Sequence, residues 1–258
     1  MNDNHFKFTP SVILIPFLLV LVLWIIFWVD IRFHFNFDQF GIYPRTFSGL
    51  IGIFCAPFLH GNLEHLNNNS ISLLILLAAL RYFYREIFFK ILINGILLSG
   101  LLTWIIGRES THIGASSLIY VLASFIFFKG FSSEYYRLVA LSLLVTLVYG
   151  SMVWYIFPNI IVGMSWEGHI SGLITGFIFA LIYKTPEFTK LIKYDWEHPD
   201  YNPSEDKFMQ RFDENGFFVN PTVTENDQEI QTYYHSSHSV NYEFIEKKWI
   251  NTFVLIHL

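Results

Sequence analysis

The sequence predicts an all-α polytopic membrane protein, with six membrane-spanning helices followed by a water-exposed tail. Hydrophobic residues make up 53% of the 258 residues, and charged residues make up 14%, against roughly 25% in an ordinary soluble domain. The few charges are also unevenly spaced and leave long apolar intervals. A helix needs roughly 20 mostly apolar residues to cross a bilayer, and these intervals are the candidates.

Six intervals are predicted to span the membrane: residues 11–29, 65–80, 91–107, 110–128, 138–157 and 168–183. The first is expected to be retained as a helix, not cleaved as a signal peptide. Only Lys7 precedes it as a clear positive charge, and no small-residue cleavage site follows it.

Residues 30–64 are predicted to form a partly embedded loop between the first two spans. Within it, the uncharged stretch 46–63 contains Gly49, Gly52, Pro57 and Gly61. Irregular backbone inside a membrane needs protein or water to satisfy its hydrogen bonds, which favours a loop. A seventh crossing is the alternative.

Lys and Arg in the connecting segments predict the orientation, because they concentrate on the cytoplasmic side. With six crossings, nine of them lie on the side of both termini, and Arg32, Arg45 and Arg108 lie on the other. Residues 1–10 and the tail are therefore expected in the cytoplasm. The loops before the second, fourth and sixth spans then face the opposite side.

The tail, residues 185–258, holds 13 acidic and 6 basic residues, whereas residues 1–184 hold 8 acidic and 10 basic ones. This acidic balance is typical of a loosely ordered, water-exposed segment. No basic patch suits nucleic acid. The single cysteine, Cys55, excludes an intramolecular disulfide and a Cys-rich metal site. We predict no metal and no cofactor.

The first polar cluster, residues 60–69, opens the second span from the outer side. His65 and Asn69 are four residues apart and share one face of a helix. Together they could donate hydrogen bonds to one developing negative charge. The Asn/His-rich sequence of this cluster could equally just cap the helix at the wet interface, and His60 is expected to be structural.

The second cluster runs from Gly114 to Tyr120 at the outer end of the fourth span. Ser116 falls in the first turn of the predicted helix, where backbone N–H groups are unpaired and the helix dipole is positive. An oxyanion would be stabilised there. Simple N-capping by Ser116 or Ser117 is the alternative.

The third cluster opens the sixth span. Gly172 and Gly176 form a small-xxx-small face that lets another helix approach closely, and His169 lies one turn earlier on that face. The alternative is helix packing alone, with His169 hydrogen-bonded to a neighbour. Glu167 is expected to lie solvated at the interface.

The three clusters lie at the same-side ends of three spans, and together they suit acyl transfer. A neutral imidazole can take the proton of a serine that attacks a carbonyl. The resulting oxyanion needs donors, which the Ser116 N–H, His65 and Asn69 could supply. Because spans four and six contain no internal carboxylate, a Ser–His dyad is the simplest hypothesis.

Over roughly residues 11–184 the chain resembles the rhomboid family of intramembrane serine proteases. The resemblance rests on the order and spacing of nine residues: His60, His65, Asn69, Gly114, Ser116, Tyr120, His169, Gly172 and Gly176.

This resemblance implies a rhomboid-like six-helix bundle with a water-accessible cavity that opens to the outer face. It implies Ser116 as nucleophile and His169 as general base, with Tyr120 stacked on the His169 ring. It also implies an oxyanion hole of His65, Asn69 and the Ser116 N–H. The partners would be membrane lipid and single-span membrane proteins, the substrates, cut in or near their transmembrane helix. A six-span core indicates a bacterial plasma membrane.

The chain departs from the family pattern at two places. Ser117 stands where the family usually has glycine; we expect it to be tolerated, although its hydroxyl is a second candidate partner for His169. Tyr43-Pro-Arg45 stands where many members have a Trp-Arg pair, in the loop between the first two spans.

The main alternative function is that of a catalytically weak or inactive rhomboid-like protein that binds membrane clients. Such relatives typically lack the serine or the histidine, and both are present here. A transporter would show paired repeats and ionisable groups near the mid-membrane. A zinc protease would need His-Glu-x-x-His, and an aspartyl intramembrane protease would need intramembrane aspartates. The sequence shows none of these features.

Overall fold

The structure is a computed structural model that describes residues 6–133, 135–158, 160–161, 163–184, 194, 196, 198–206, 208–213 and 215–219. The chain divides into two compact units, Met1–Thr189 and Lys190–Leu258. Over the described residues there are seven α-helices and no β-strand, which agrees with the predicted all-α class. The predicted tail falls largely on residues 185–193 and 220–258, which lie outside the described residues, as do residues 1–5.

The described part of the first unit contains six long helices and one short helix. They are α1 (Ser11–Phe33), α2 (Gly52–Cys55), α3 (Leu63–Phe83), α4 (Phe88–Ile106), α5 (Ser116–Phe131), α6 (Tyr136–Tyr149) and α7 (Trp166–Ile182). Among the described residues, three helices are long and apolar enough to cross a membrane, namely α1, α4, and α6 with its continuation to Ile156. The number of crossings stays a prediction.

The central helix is α5. It packs against α3, α4, α6 and α7, and its side chains are buried almost all round, as in Leu122 and Phe125. A helix that is apolar on every side lies either in a protein core or in a membrane, and α5 lies in the protein core. The surrounding helices turn apolar side chains outward, such as Leu147 on α6 and Leu181 on α7, which are 83% and 69% exposed. Such a continuous apolar exterior suits a lipid environment.

The predicted start of the fourth span is wrong. The fourth span was predicted from residue 110, but α5 begins at Ser116, because residues 111–115 pair with the preceding loop. There Ile42 and His112 exchange backbone hydrogen bonds, and the Gly114 N–H donates to the Ala56 carbonyl. The fifth span was predicted to about residue 157, and the apolar helical segment does run to Ile156; α6 itself ends at Tyr149 and continues as a 3-10 helix, Gly150–Ile156.

The stretch 46–63 contains the broken helix Ser48–Phe58, of which α2 is one turn. Eleven residues at 1.5 Å each reach about 17 Å, well short of the roughly 30 Å of a bilayer core, so this length favours the loop over a seventh crossing. The loop packs tightly, because a Cβ on Gly52 would overlap the backbone of Gly41 and Ile42.

Arg45 fastens this loop to the end of α4. Its backbone N–H donates to the Trp104 carbonyl at 3.1 Å, and its guanidinium Nη1 donates to the Gly107 carbonyl at 2.6 Å. The Trp104 indole N–H returns a bond to the Thr46 carbonyl at 2.9 Å. The last carbonyl groups of a helix have no N–H donor within the helix. Arg45 supplies such donors at the end of α4. Arg45 therefore holds the loop in place although the chain has no Trp-Arg pair.

The described part of the second unit contains a short 3-10 helix, Met209–Arg211, and a tight turn. Phe212 and Phe218 form a β-bridge across that turn, and the Asp213 carboxylate accepts the N–H groups of Asn215 and Phe217. The side chain of Phe217 is exposed.

Candidate active site

The α5–α7 contact brings two of the predicted clusters together, and glycine makes it possible. A Cβ on Gly172 would overlap the Ser117 carbonyl oxygen and lie 2.7 Å from the Tyr120 Cβ. A Cβ on Gly176 would lie 2.7 Å from the Ser124 Cβ. Contacts of real Cβ atoms are not this short, so only glycine lets the two backbones lie so close.

His169 lies in the first turns of α7 and is 4% exposed. Its ring stacks on that of Tyr120, with centroids 4.4 Å apart and planes 16° apart. Its Nδ1 is 2.9 Å from the Tyr155 carbonyl oxygen. A carbonyl only accepts, so Nδ1 carries the proton, and Nε2 of the neutral ring keeps its lone pair.

The 3-10 segment that follows α6 holds this histidine from the other side. Tyr155 supplies the carbonyl for Nδ1, and the Met152 carbonyl accepts the Tyr120 hydroxyl at 2.5 Å. Both rings of the stack are thus fixed by backbone groups of one segment. Sequence reasoning did not assign this segment a role, and its apolar residues carry no signal for one.

Ser116 is the first residue of α5, four residues before Tyr120 and therefore on the same helix face. The residue at the N-cap is Ala115, and no side chain caps this helix. The capping explanation for Ser116 and Ser117 is therefore wrong. Within the described part of the chain no hydrogen bond joins Ser116 to His169. Catalytic hydrogen bonds are often long before substrate binds.

Gly114 connects the first two clusters. Its φ is +105°, a conformation that side chains disfavour. A Cβ there would lie 2.6 Å from the His65 Nε2 and 3.4 Å from the Asn69 Nδ2. The imidazole and the amide therefore both approach the backbone two residues before Ser116. The cluster does cap α3, but through Asn62, whose side chain accepts the His65 N–H; the side chains of His65 and Asn69 are not the cap.

His60 orients Asn69. The Asn69 Nδ2 lies 3.0 Å from the His60 Nε2 in a buried contact, and since an amide nitrogen only donates, Nε2 accepts. Burial, and then the neighbouring His65, lower the pKa of His60 to about 4, so that its ring is neutral near pH 7. This contact uses one of the two N–H donors of the Asn69 amide. The second N–H is a candidate donor to an oxyanion.

Glu167 is not solvated, contrary to the sequence prediction. Its side chain is 1% exposed, and it pairs with Arg108, whose Nη1 lies 3.2 Å from Oε2. The Arg108 backbone N–H also donates to Oε1, at 3.2 Å. The prediction failed because the partner lies 59 residues away in a different loop, where no local pattern points to it.

His112 and Ser165 form a second link beside this ion pair. The His112 Nε2 donates to the Arg108 carbonyl at 3.1 Å, which leaves Nδ1 to accept from the Ser165 hydroxyl at 2.6 Å. Ser165 is the N-cap of α7 and accepts the Gly168 N–H at 3.2 Å. Burial lowers the pKa of His112, which favours this neutral form. Of these residues, only Ser165 could have been identified from the sequence, because a serine just before a predicted helix is a candidate N-cap.

Ser117 lies close to Ser116 and makes no hydrogen bond to His169 within the described residues. It borders a small cavity together with Ser116, His112, Ser165 and Gly168. Among the described residues no hydrogen bond engages its hydroxyl, and the Tyr155 carbonyl occupies the Nδ1 side of His169.

Comparison with known proteins gives consistent matches. Residues 48–186, more than half of the chain, match the family model for the Rhomboid domain. An uncharacterized protein of Mycobacterium tuberculosis is 33% identical over 178 residues, which cover 65% of this chain and 73% of that protein. An uncharacterized protein of Mycobacterium leprae is 30% identical over 177 residues, 64% and 69% of the two chains. A protein of Acanthamoeba polyphaga mimivirus that carries the rhomboid name is 28% identical over 185 residues, 67% and 92% of the two chains.

Proposed function

The chain belongs to the rhomboid family, and we propose that it is an intramembrane serine endopeptidase with a Ser116–His169 dyad. With its long apolar helices it is an integral membrane protein. The observation that carries the proposal is the state of His169, which is buried, stacked on Tyr120 and bonded through Nδ1 to a carbonyl. A histidine held in this way offers Nε2 as a base, and Ser116 lies one turn from its stacking partner.

In the proposed reaction the Ser116 Oγ attacks the scissile carbonyl carbon while the His169 Nε2 takes its proton. The carbonyl oxygen becomes an oxyanion that accepts hydrogen bonds from the Ser116 N–H, His65 and Asn69. The imidazolium then protonates the leaving amine, and the amine departs. Water, activated by the same imidazole, hydrolyses the acyl-enzyme. Tyr120 and the Tyr155 carbonyl keep the ring oriented throughout.

Substrates are proposed to be single-span membrane proteins that are cut in or near the transmembrane helix. The proposal also includes the topology. The chain would cross a bacterial plasma membrane six times, with both termini in the cytoplasm and a site that opens to the non-cytoplasmic side. The charge distribution of the connecting segments supports this orientation.

The orientation is tested by labelling of introduced cysteines. In a Cys55→Ser background, a membrane-impermeant maleimide added to intact cells should label Glu109→Cys and not Glu86→Cys. The reverse pattern would overturn the orientation.

The activity is tested with the purified full chain in liposomes and a tagged single-span substrate with helix-breaking and small residues near its outer end. Ser116→Ala and His169→Ala should each abolish cleavage, because each removes one reacting group. Ser117→Gly and His34→Asn are the matched controls and should cleave at the parent's rate. Asn suits the position of His34, whose φ is +54°. Cleavage retained in either dyad variant would refute the mechanism.

A fluorophosphonate probe separates the protease from a client-binding protein without requiring the natural substrate. It reacts with a serine that a base activates, so it should label the parent and leave Ser116→Ala unlabelled. A parent that is folded but unlabelled would favour client binding.

A further inference from the structure

Glu167 is a buried carboxylate that the proposed dyad does not use. It lies two residues before His169 in the first turn of α7 and is 1% exposed. A buried charge is costly unless it is paired and hydrogen-bonded. Its burial two residues from His169 therefore points to a role other than stabilisation of the fold.

Arg108 binds both ends of the segment that precedes His169. Its Nη1 donates to both carboxylate oxygens of Glu167, at 3.3 and 3.2 Å, and its Nη2 donates to the Met164 carbonyl at 2.7 Å. A guanidinium is planar and holds its donors in a fixed fork. Arg108 thus fixes both the position and the direction of the start of α7.

The same arginine lies in the loop that leads to Ser116. Its carbonyl accepts from His112, whose Nδ1 is bonded to the N-cap Ser165 of α7. The backbone that precedes the nucleophile and the backbone that precedes the base are therefore joined by a set of side-chain bonds centred on Arg108 and Glu167.

We propose that Glu167 and Arg108 are a positioning pair that sets the Nε2 of His169 relative to the Oγ of Ser116. This role rests on the proposed function. The pair touches no reacting atom; it acts by holding the start of α7 against the loop before α5. A displacement of about 1 Å between reacting groups can cost a hundredfold in rate, so loss of the pair should slow the chemistry more than it weakens the fold.

The test measures both the rate constant and the end point of Ser116 labelling by a fluorophosphonate, using the full chain in detergent. Glu167→Gln removes the charge and keeps the shape. It should lower the rate constant by about tenfold to a hundredfold, with the end point of labelling close to the parent's. A merely structural role would instead reduce the end point and leave the rate constant unchanged, because fewer molecules would be folded.

A double-mutant cycle adds two further variants, Arg108→Gln and the Arg108→Gln, Glu167→Gln double variant. If the two residues act as one unit, the double variant should be labelled about as slowly as either single variant. Rate losses that multiply would show independent roles and overturn the pair. Arg108→Gln leaves the 1% exposed Glu167 carboxylate without its partner. The double variant, which removes both charges, therefore keeps the test valid if either single variant fails to fold.

Glu109→Gln is the matched control. Glu109 neighbours Arg108 and faces Arg45 at 4.0 Å, but its side chain is 81% exposed, and exposed pairs of this kind contribute little. It should be labelled at the parent's rate. An unlabelled parent would refute the proposed function and the pair with it. A labelled parent with Glu167→Gln at the same rate would refute the pair alone.

Discussion

Replacement of Gly172 by alanine tests whether the close approach of α5 and α7 sets the catalytic geometry. The added Cβ would overlap the Ser117 carbonyl oxygen and lie 2.7 Å from the Tyr120 Cβ. The carbonyl belongs to helix backbone and cannot rotate away. Relief at Tyr120 alone, from 2.7 Å to the 3.4 Å of ordinary contact, requires a shift of about 0.7 Å.

The fold should lose some stability, because a gain in helix propensity only partly offsets the cost of overpacking. Alanine in a helix interior is favoured over glycine by up to about 1 kcal/mol, whereas overpacking costs about 1–3 kcal/mol. The effect on catalysis should be large, since His169 lies one turn from Gly172 and would move with α7. A shift approaching 1 Å predicts a loss of about tenfold to a hundredfold in rate.

The assay compares cleavage per folded molecule with the midpoint of thermal unfolding. Gly150→Ala is the control, because its Cβ would meet only the Thr146 Cγ2 at 3.6 Å. Cleavage by Gly172→Ala at the parent's rate would refute the argument that the α5–α7 spacing sets the dyad. A loss in rate that merely follows a loss of folded protein would also count against it.

Two further predictions concern the oxyanion side of the site. Asn69→Ala should slow cleavage by less than the His65→Ala, Asn69→Ala double variant, because one lost donor costs on the order of 3 kcal/mol of transition-state stabilisation; full activity in the double variant would show that these residues are not donors. The second prediction is a pH dependence: burial and the nearby His65 hold the pKa of His60 at about 4 in the folded protein, against about 6.5 in the unfolded chain. Since the unfolded chain binds this proton more readily, protonation of His60 favours unfolding. The free energy of unfolding should therefore be unaffected by His60 above pH 6.5 and should decrease as the pH falls towards 4, by roughly 3 kcal/mol at most. Thermal unfolding followed by tryptophan fluorescence should show this loss in the parent and much less of it in His60→Gln; equal pH slopes would contradict it.

The candidate site residues could be named from the sequence because their signals are local. His65 and Asn69 share a face by spacing alone, and a small-xxx-small pattern marks the contact side of α7 around Gly172. The family resemblance then supplied the Tyr120–His169 stack, which the structure contains. Such signals need only a few neighbouring residues and the geometry of a helix.

Helix ends were harder to predict, because gaps between charges measure hydropathy and not hydrogen bonding. Residues 110–115 are uncharged apart from their histidine, so they were assigned to the fourth span. In the structure His112 pairs with Ile42, and Gly114 donates to Ala56. These partners lie more than 50 residues upstream, beyond the reach of any local pattern.

Glu167 shows most clearly why the rest of the site could not be read from the sequence. A carboxylate at a predicted interface is ordinarily solvated, and only a donor of fixed geometry makes its burial tolerable. That donor, Arg108, was counted as a topology signal, since an arginine in an outer loop informs the orientation of a membrane protein. The same side chain binds Met164 and Glu167 on either side of the N-terminus of α7. A cation in a connecting loop can therefore also support the candidate site next to it, and its burial and partners, not its charge alone, distinguish the two roles.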